Sequence, residues 1–133
     1  MAGPLSAAEA VPVAEFRAAL RGFMRTSERN ARAAGLTPQR YLLLLMIKGA
    51  PDGSEQSTVT DLAQRLQLAQ STVTELVRRA EETGLVEREQ SPADGRVAHL
   101  RLTDEGERRL MNAFTSNEDE RQELRAAIAH LDL

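Results

Sequence analysis

The side chains with the clearest chemical potential lie in residues 70–83, whose composition suits contact with the base edges of duplex DNA. Val73, Val77 and Ala80 recur at helical spacing, with Leu76 beside them, and predict a helix with one buried face. The opposite face carries short polar side chains, one carboxylate and one long cation. These candidate DNA contacts are Gln70, Ser71, Thr72, Thr74, Glu75 and Arg78, with Thr72 on the flank. Short side chains let a helix approach bases closely, and arginine can donate two hydrogen bonds to guanine.

A second candidate contact follows the turn-forming residues 91–95, which read SPADG. This turn separates residues 85–89 from residues 97–102, and the second segment alternates so that Leu100 and Leu102 share a face. The pattern predicts a β-hairpin with Arg96 at or near its tip. A projecting guanidinium suits the narrow, electronegative minor groove of DNA.

The elements that must position these residues are a helix, a tight turn and the candidate reading helix. Thr58 has the form of a helix N-cap, with Asp61 three residues later as its reciprocal partner. The apolar residues that follow recur at helical spacing and are Leu62, Ala63 and Leu66. Residues 67–69 are long enough only for a tight turn. Gly84 stands where the second helix should end in a left-handed cap.

These motifs together resemble the multiple-antibiotic-resistance-regulator (MarR) family of winged-helix transcription factors. The resemblance rests on LAQRLQLAQSTVTELVRRAEETGLVER, then DGR, then LRLTDEG, and covers about residues 36–106. It implies a mainly α fold with a small β-hairpin wing, which is a winged helix-turn-helix between N- and C-terminal dimerisation helices. It also implies that Ser71, Thr72, Thr74 and Arg78 occupy recognition-helix positions. In the wing, Asp94 is expected to orient the guanidinium of Arg96.

Three residues depart from the family pattern. Gln67 replaces the usual glycine of the turn, where a left-handed conformation costs a residue with a Cβ about 1 kcal/mol. Ala69 replaces the usual serine and removes a capping hydroxyl. Glu75 stands where a basic residue is common. Its carboxylate either accepts a hydrogen bond from cytosine N4 or repels phosphate.

The remaining segments predict a division into an N-terminal dimerisation helix (residues 1–35), the DNA-binding domain (36–103) and shortened C-terminal dimerisation helices (104–133). The first helix is predicted from Pro12 to about Ala34, after a frayed Ala-rich start. Its apolar stripe predicts a core or dimer face, with an effector-pocket wall as the alternative. The stripe consists of Val13, Phe16, Leu20, Phe23 and Met24. Residues 41–47 (YLLLLMI), after the helix start at residues 37–38, predict a buried central helix.

The C-terminal segment predicts two short helices. Thr103 can cap the first of them. Residues 116–119 have the form of a second capping box, which predicts a last helix to about Leu131. In the family, the first helix and the last two interdigitate with a partner. The penultimate helix here is about a dozen residues shorter than the family norm. A twofold dimer is still expected because the apolar stripes have little to cover them within one chain.

Composition excludes several classes of function. The 133 residues include no cysteine, so disulfides, thiol redox sensing and Cys-based zinc sites are excluded. The isolated His99 and His130 do not suggest a zinc site, although a Glu/His site between subunits stays open, and His99 is expected to be exposed. Neither a membrane-spanning stretch nor a secretory signal is evident, so a cytoplasmic location is expected. No cofactor motif or catalytic constellation is visible, so neither a cofactor nor enzymatic activity is expected.

The charge balance does not itself indicate a nucleic-acid partner. The formal net charge is −3, and residues 58–103 contain six Arg against seven Asp or Glu, a net of −1. Nucleic-acid binders usually carry a basic footprint. The acidic balance, Glu75 and the shortened arm motivate an alternative, a winged-helix protein-interaction module that has lost DNA binding.

The resemblance implies a sequence-specific transcriptional regulator, most often a repressor in such families, that binds a near-palindromic operator in double-stranded DNA as a homodimer. It further implies a small aromatic or anionic effector. This effector binds between the DNA reader, which is the helix-turn-helix and wing of residues 58–103, and the dimerisation helices. The candidate pocket residues are Phe16, Arg17, Phe23, Tyr41 and Met46. Core packing is the alternative role for the apolar members of this set.

Overall fold

The computed structural model describes residues 3–131, which form six α-helices and one two-stranded antiparallel sheet. The outermost residues of the two predicted dimerisation segments, 1–2 and 132–133, lie outside this range. The fold class expected from the sequence, mainly helical with a β-hairpin wing, is confirmed. In chain order the elements are α1 (Ala7–Ala33), α2 (Pro38–Lys48), α3 (Val59–Leu66), α4 (Gln70–Glu82), β1 (Val86–Gln90), β2 (Ala98–Leu102), α5 (Asp104–Ser116) and α6 (Glu118–Ala129).

The core lies around α2, which was predicted to be the buried central helix. The Thr37 hydroxyl caps α2 by accepting from the Arg40 N–H (3.1 Å), and Pro38 occupies the first turn, as predicted. The largest fully buried apolar side chains are contributed by α2, by α3 and α4, by β2 and by the residue just before β1. They are Leu43, Leu44, Ile47, Leu62, Val73, Val77, Leu85 and Leu100. The reader is therefore built on a single apolar core, whose burial supplies the main stabilising term.

The turn between α3 and α4 contains a residue in the left-handed conformation, although the sequence has no glycine there. Gln67 has φ 56° and ψ 46° and ends α3, so a side chain with a Cβ occupies the position expected to need glycine. Leu68 closes the turn through its N–H, which donates to the Ala63 carbonyl (3.1 Å). Ala69 begins α4 without any side-chain cap, as predicted. At the start of α3 the Thr58 hydroxyl accepts from the Asp61 N–H (3.2 Å).

The wing is a hairpin of two five-residue strands, in which Val86 pairs with Leu102 and Gln90 pairs with Ala98. The end of α4 leads into it through Gly84, which has φ +74° and confirms the predicted left-handed cap. A contact not expected from the sequence holds the other side of β2. Ser57, which is buried, exchanges two backbone hydrogen bonds with Leu100 (3.1 and 2.8 Å). The loop before α3 thereby fixes the base of the wing.

A close contact joins α5 to the end of the reader. The Thr103 hydroxyl accepts from the Gly106 N–H (3.1 Å) to cap α5, and it donates to the Gly84 carbonyl (2.6 Å). The backbone N–H of Thr103 donates to the Leu85 carbonyl (3.0 Å). A Cβ at position 106 would lie 2.1 Å from that same carbonyl oxygen, so only glycine fits there. Residues 103–106 are therefore a tightly packed joint.

The start of α1 was predicted wrongly at Pro12. The helix begins at Ala7 because Ser6 and Glu9 form a reciprocal capping box, with the Glu9 N–H donating to the Ser6 hydroxyl (3.2 Å) and the Ser6 N–H donating to the Glu9 carboxylate (3.4 Å). Pro12 consequently lies inside the helix, where it lacks an N–H for the preceding turn. The predicted end near Ala34 is confirmed within one residue.

The prediction of a second capping box, at residues 116–119, is also wrong. Ser116 ends α5, and its hydroxyl donates to the Asn112 carbonyl (2.9 Å) instead of capping α6. The side chain of Asn117 is buried and faces inward. Its Oδ1 accepts from Asn30 (2.7 Å), and its amide donates to the Tyr41 hydroxyl (3.4 Å). The α5–α6 corner is thus attached to α1 and α2, and α6 ends at Ala129, before the predicted Leu131.

Candidate nucleic-acid interface

The outer face of α4 is open to solvent, as its amphipathic pattern predicted. The apolar side packs inward, because Val73, Val77 and Ala80 are fully buried. The six α4 residues singled out from the sequence lie on the other side, all of them exposed except Glu75, which is half-buried. They are Gln70, Ser71, Thr72, Thr74, Glu75 and Arg78. The Gln70 amide donates to the Thr60 hydroxyl of α3 (3.3 Å), which ties the start of α4 to the preceding helix.

The two arginines of α4 are held by carboxylates of the same helix. Arg78 donates from Nε and Nη2 to the two oxygens of Glu75 (2.9 and 2.5 Å), and its Nη1 donates to Glu82. Arg79 also donates to Glu75 through Nε (3.0 Å). The spacings of three and four residues place these side chains side by side on the helix. Glu75 is thus the centre of an ion-pair network on the outer face of α4.

This network fixes the protonation state of Glu75. Hydrogen bonds from Arg78 and then Arg79 lower the pKa of the Glu75 carboxyl from 4.5 to about 2. The hydrogen bond from Arg78 to Glu75 is also the main cause of the raised pKa of Arg78. Glu75 is therefore ionised at any pH at which duplex DNA is stable, and an ionised carboxylate can only accept hydrogen bonds.

The tip of the wing presents Arg96, whose side chain is 93% exposed. Asp94 accepts twice through Oδ1, from the Arg96 backbone N–H (3.0 Å) and from its Nε (3.3 Å). The turn is closed by the Val97 N–H, which donates to the Asp94 carbonyl (3.0 Å). The carboxylate thus contacts the guanidinium and the backbone that carries it, in the arrangement expected for the pair.

Arginines on the stem of the wing are paired with neighbouring acids. Arg101 of β2 donates to Glu87 of β1 (2.7 Å), its partner across the strands. Arg88 donates to Glu81 near the end of α4 (2.9 Å). These pairs balance charge locally, which agrees with the near-neutral sum of residues 58–103. The positive ends that remain most accessible are Arg96 at the tip and the outer edges of the α4 arginines.

One candidate contact was missed in the sequence. Arg79 lies on the flank of α4 with 59% of its side chain exposed. It borders a groove between α2 and α4 whose lining residues are Gln39, Ser71, Thr72, Glu75, Leu76 and Arg79. The available signal was its position four residues after Glu75, a spacing that favours a helical ion pair on the exposed side.

A separate cleft lies between α1 and α2, next to the buried Asn117. Its lining residues are Phe23, Met24, Ser27, Glu28, Pro38, Tyr41 and Leu42. Two of the candidate effector contacts, Phe23 and Tyr41, therefore come together here. Met46 instead packs against the core, where its carbonyl accepts from Arg65 (2.8 Å). Phe16 and Arg17 are not in the lining of this cleft.

Two other features bear on alternative chemistry. His99 is half-buried in β2 opposite Glu89, so the expectation that it is exposed was wrong. Within residues 3–131, no three His, Asp or Glu side chains are grouped so as to hold a metal ion. None of the helices in that range is long and apolar enough to cross a membrane.

Comparison with known proteins gives consistent matches. Residues 34–97 match the model of the MarR family. The uncharacterized HTH-type transcriptional regulator YsmB of Bacillus subtilis is 33% identical over 84 residues, which are 63% of this chain and 55% of that protein. A second B. subtilis HTH-type regulator, YdgJ, is 27% identical over 71% of this chain and 56% of its own length. The matched segments thus span about half of each of these relatives.

Solved structures show the same fold. Sco3205, a MarR family transcriptional regulator from Streptomyces coelicolor in complex with DNA, aligns with a TM-score of 0.68 and 25% identity over 93% of this chain and 77% of its own. A mutant MarR from E. coli complexed with operator DNA aligns with a TM-score of 0.67 and 22% identity over 81% and 75% of the two chains. At these identities the second likeness supports the fold alone.

Proposed function

We propose that this chain is a sequence-specific transcriptional regulator of the MarR family that binds double-stranded DNA and acts as a repressor. The helix α4 enters the major groove and the wing reaches an adjacent minor groove. In this proposal residues 36–103 are the DNA-binding domain, and residues 1–35 and 104–133 are the dimerisation segments.

The observation that carries the proposal is the joint exposure of the α4 outer face and the wing tip on one rigid core. Short polar side chains at Gln70, Ser71 and Thr74 leave room for base edges. Arg96 projects with 93% of its side chain exposed and is oriented by Asp94. Exposed ion pairs such as those of Arg78 contribute little to stability, so DNA can compete for the guanidinium.

Binding to a near-palindromic site requires two readers, and we assign the dimer interface to α1, α5 and α6. Large apolar side chains on these helices stay uncovered in one chain. They are Val11, Val13, Met24, Met111, Phe114 and Ile128, each between 42% and 62% exposed. A twofold partner is the commonest way to bury such a surface.

An effector would bind in the cleft between α1 and α2. Its lining is largely apolar, and Glu28 is the charged residue among the lining residues described. This composition favours a small neutral aromatic ligand over an anionic one, because a carboxylate would repel an anion. The ligand would shift the protein between two states only through its different affinity for each.

The direct test is selection of bound sites from a random duplex DNA pool with the purified protein. We expect a near-palindromic consensus whose half-site centres lie about one helical turn, ~34–36 Å, apart. Failure to enrich any sequence at low salt would contradict the proposal. The same experiment repeated with small aromatic compounds would detect an effector as a loss of enrichment.

A protein-interaction module is the second candidate, and the paired arginines of α4 favour it. Arg78 and Arg79 are both neutralised by Glu75, so the reader lacks the free basic face that most DNA binders carry. Salt dependence separates the two functions. DNA affinity should fall steeply as salt rises, with a slope set by the number of phosphate contacts. A hydrophobic protein interface would change little.

A further inference from the structure

The ion-pair network of α4 leaves a specific set of hydrogen-bonding groups unused. Arg78 has five N–H donors, of which three are occupied by Glu75 and Glu82. Glu75 has about four lone-pair sites, of which three accept from Arg78 and Arg79. The pair therefore retains one donor on each of Nη1 and Nη2 and one acceptor site on Oε2. Two hydrogen bonds hold the two groups together, from Nε to Oε2 (2.9 Å) and from Nη2 to Oε1 (2.5 Å).

The major-groove edge of a G·C base pair has the complementary pattern. Guanine presents the acceptors N7 and O6, and cytosine presents the N4 amino donor. Guanine O6 and cytosine N4 are themselves hydrogen-bonded, at about 2.9 Å. An A·T pair in the same orientation does not fit, because adenine N6 would meet a donor and thymine O4 would meet an acceptor. In the reversed T·A orientation, thymine O4 and adenine N6 match one donor and the acceptor, but thymine has no counterpart of guanine N7, so one Arg78 donor stays unpaired.

We propose that Glu75 and Arg78 read one G·C base pair in each half-site as a single unit, with Arg78 donating to guanine and Glu75 accepting from the cytosine N4 amino group. The inference rests on the proposed function, since it requires α4 to lie in the major groove. It makes Glu75 a specificity-determining residue instead of a defect in a basic surface.

Glu82 supplies a matched control for this role. It too accepts from Arg78, but it lies about two turns further along the helix than Glu75. Its side chain is the more exposed of the two, at 60% against 45% for Glu75. Removing either carboxylate reduces the negative charge near DNA by one unit. Only Glu75 bonds both oxygens to Arg78 and joins it to Arg79, so only Glu75 should affect base choice.

The experiment uses the duplex selected by the full chain and two modified versions of it. In one version the cytosine of the G·C pair is replaced by pyrimidin-2-one, which lacks the 4-amino group. In the other, 7-deazaguanine removes the N7 acceptor. We expect the wild type to lose about fivefold in affinity for the first duplex and about tenfold for the second. Glu75→Ala should become insensitive to the first change, and Arg78→Ala should become insensitive to the second.

Glu82→Ala should bind every duplex somewhat more tightly and keep the wild-type sensitivity to both modifications. Circular dichroism melts of each variant would verify that these exposed substitutions leave the fold intact. The inference is overturned if Glu75→Ala still discriminates against pyrimidin-2-one, or if the selected half-site contains no G·C pair facing α4. Absence of any selected duplex would overturn the proposed function and this inference together. Sequence-specific binding in which Glu75→Ala keeps the wild-type sensitivity to pyrimidin-2-one would overturn the inference alone.

Discussion

At the scale of single residues, Arg96 has the least ambiguous role because it makes almost no contact with the rest of the chain. Its side chain is 93% exposed and contacts Asp94 through Nε. The substitution Arg96→Ala should therefore weaken DNA binding at least tenfold while leaving the melting temperature unchanged, since it removes a projecting charge and no core contact. Fluorescence anisotropy with labelled operator DNA measures the first quantity and thermal denaturation the second.

A matched control for that substitution is available on the stem of the same hairpin. Arg101 is paired with Glu87 across the strands, so Arg101→Ala changes the net charge equally without altering the tip. We expect it to weaken binding much less than Arg96→Ala. Equal losses would mean that the wing acts through overall charge and that Arg96 does not enter a groove.

Which side chains are exposed could be predicted from the sequence, whereas their partners could not. The helical period of Val73, Val77 and Ala80 places Arg78 on the outer face, and the structure agrees. The capture of Arg78 by Glu75 and Glu82 depends on rotamers that periodicity does not specify. The spacing of Glu75 from Arg78 and Arg79 nonetheless permits such pairing.

At the scale of elements, the joint between the reader and α5 is the feature most sensitive to a small change. A methyl group at position 106 would lie 2.1 Å from the Leu85 carbonyl oxygen, so Gly106→Ala must displace backbone. We expect a loss of ~1–3 kcal/mol in the free energy of unfolding, as for overpacked sites. Urea denaturation gives this quantity directly.

The control is another helical glycine, Gly22 in α1, where an added Cβ meets nothing within 4 Å. Gly22→Ala should stabilise the protein by ~0.5–1 kcal/mol, because alanine loses less conformational entropy than glycine in a helix. If Gly106→Ala behaved like Gly22→Ala, then the start of α5 would have to be free to move away from Leu85.

The first turn of α5 also makes stability depend on pH. Hydrogen bonds from Arg108 and then Arg109 lower the pKa of Glu105 from 4.5 to about 2. A lowered pKa in the folded state stabilises the fold above pH 4.5, and this contribution is lost as the pH falls towards 2. We expect Glu105→Gln to melt at a lower temperature than the wild type at pH 6, with the difference vanishing near pH 2. In a variant that already carries Arg108→Gln and Arg109→Gln, the further change Glu105→Gln should no longer cause a pH-dependent difference in melting temperature.

The helices of the reader could be predicted closely, but the corners of the flanking helices could not. Thr58, Gly84 and Thr103 give explicit start and stop signals, and the elements between them match within about two residues. At residues 116–119 the same capping pattern is present but fails, because Asn117 is buried against α1 and α2. Such tertiary demand on a polar side chain is not visible in local sequence. The start of α1, by contrast, is visible in the local sequence, because Ser6 and Glu9 have the spacing of a capping box.

At the scale of the whole molecule, the α5–α6 corner links the flanking helices to the core of the reader. Asn117 bonds to Asn30 of α1 and to Tyr41 of α2, and Asn30 also donates to the Ser116 carbonyl (3.0 Å). Tyr41 lines the cleft proposed for the effector. A ligand in that cleft would therefore contact one of the residues through which α2 meets the flanking helices, which gives it a physical route to alter their arrangement.

The uncovered apolar face of these helices leads to the last prediction, which concerns assembly. Met111 is 62% exposed on α5 and Val13 is 53% exposed on α1. We expect the wild type to be a dimer by sedimentation equilibrium, and expect Met111→Glu with Val13→Glu to be a folded monomer, because two charges would have to be buried unpaired in the interface. A monomer contacts only one half-site, so its affinity for the full operator should fall by orders of magnitude. Gln64→Glu on the exposed side of α3 adds a charge away from this face and should remain dimeric. A double variant that still dimerises would place the interface elsewhere.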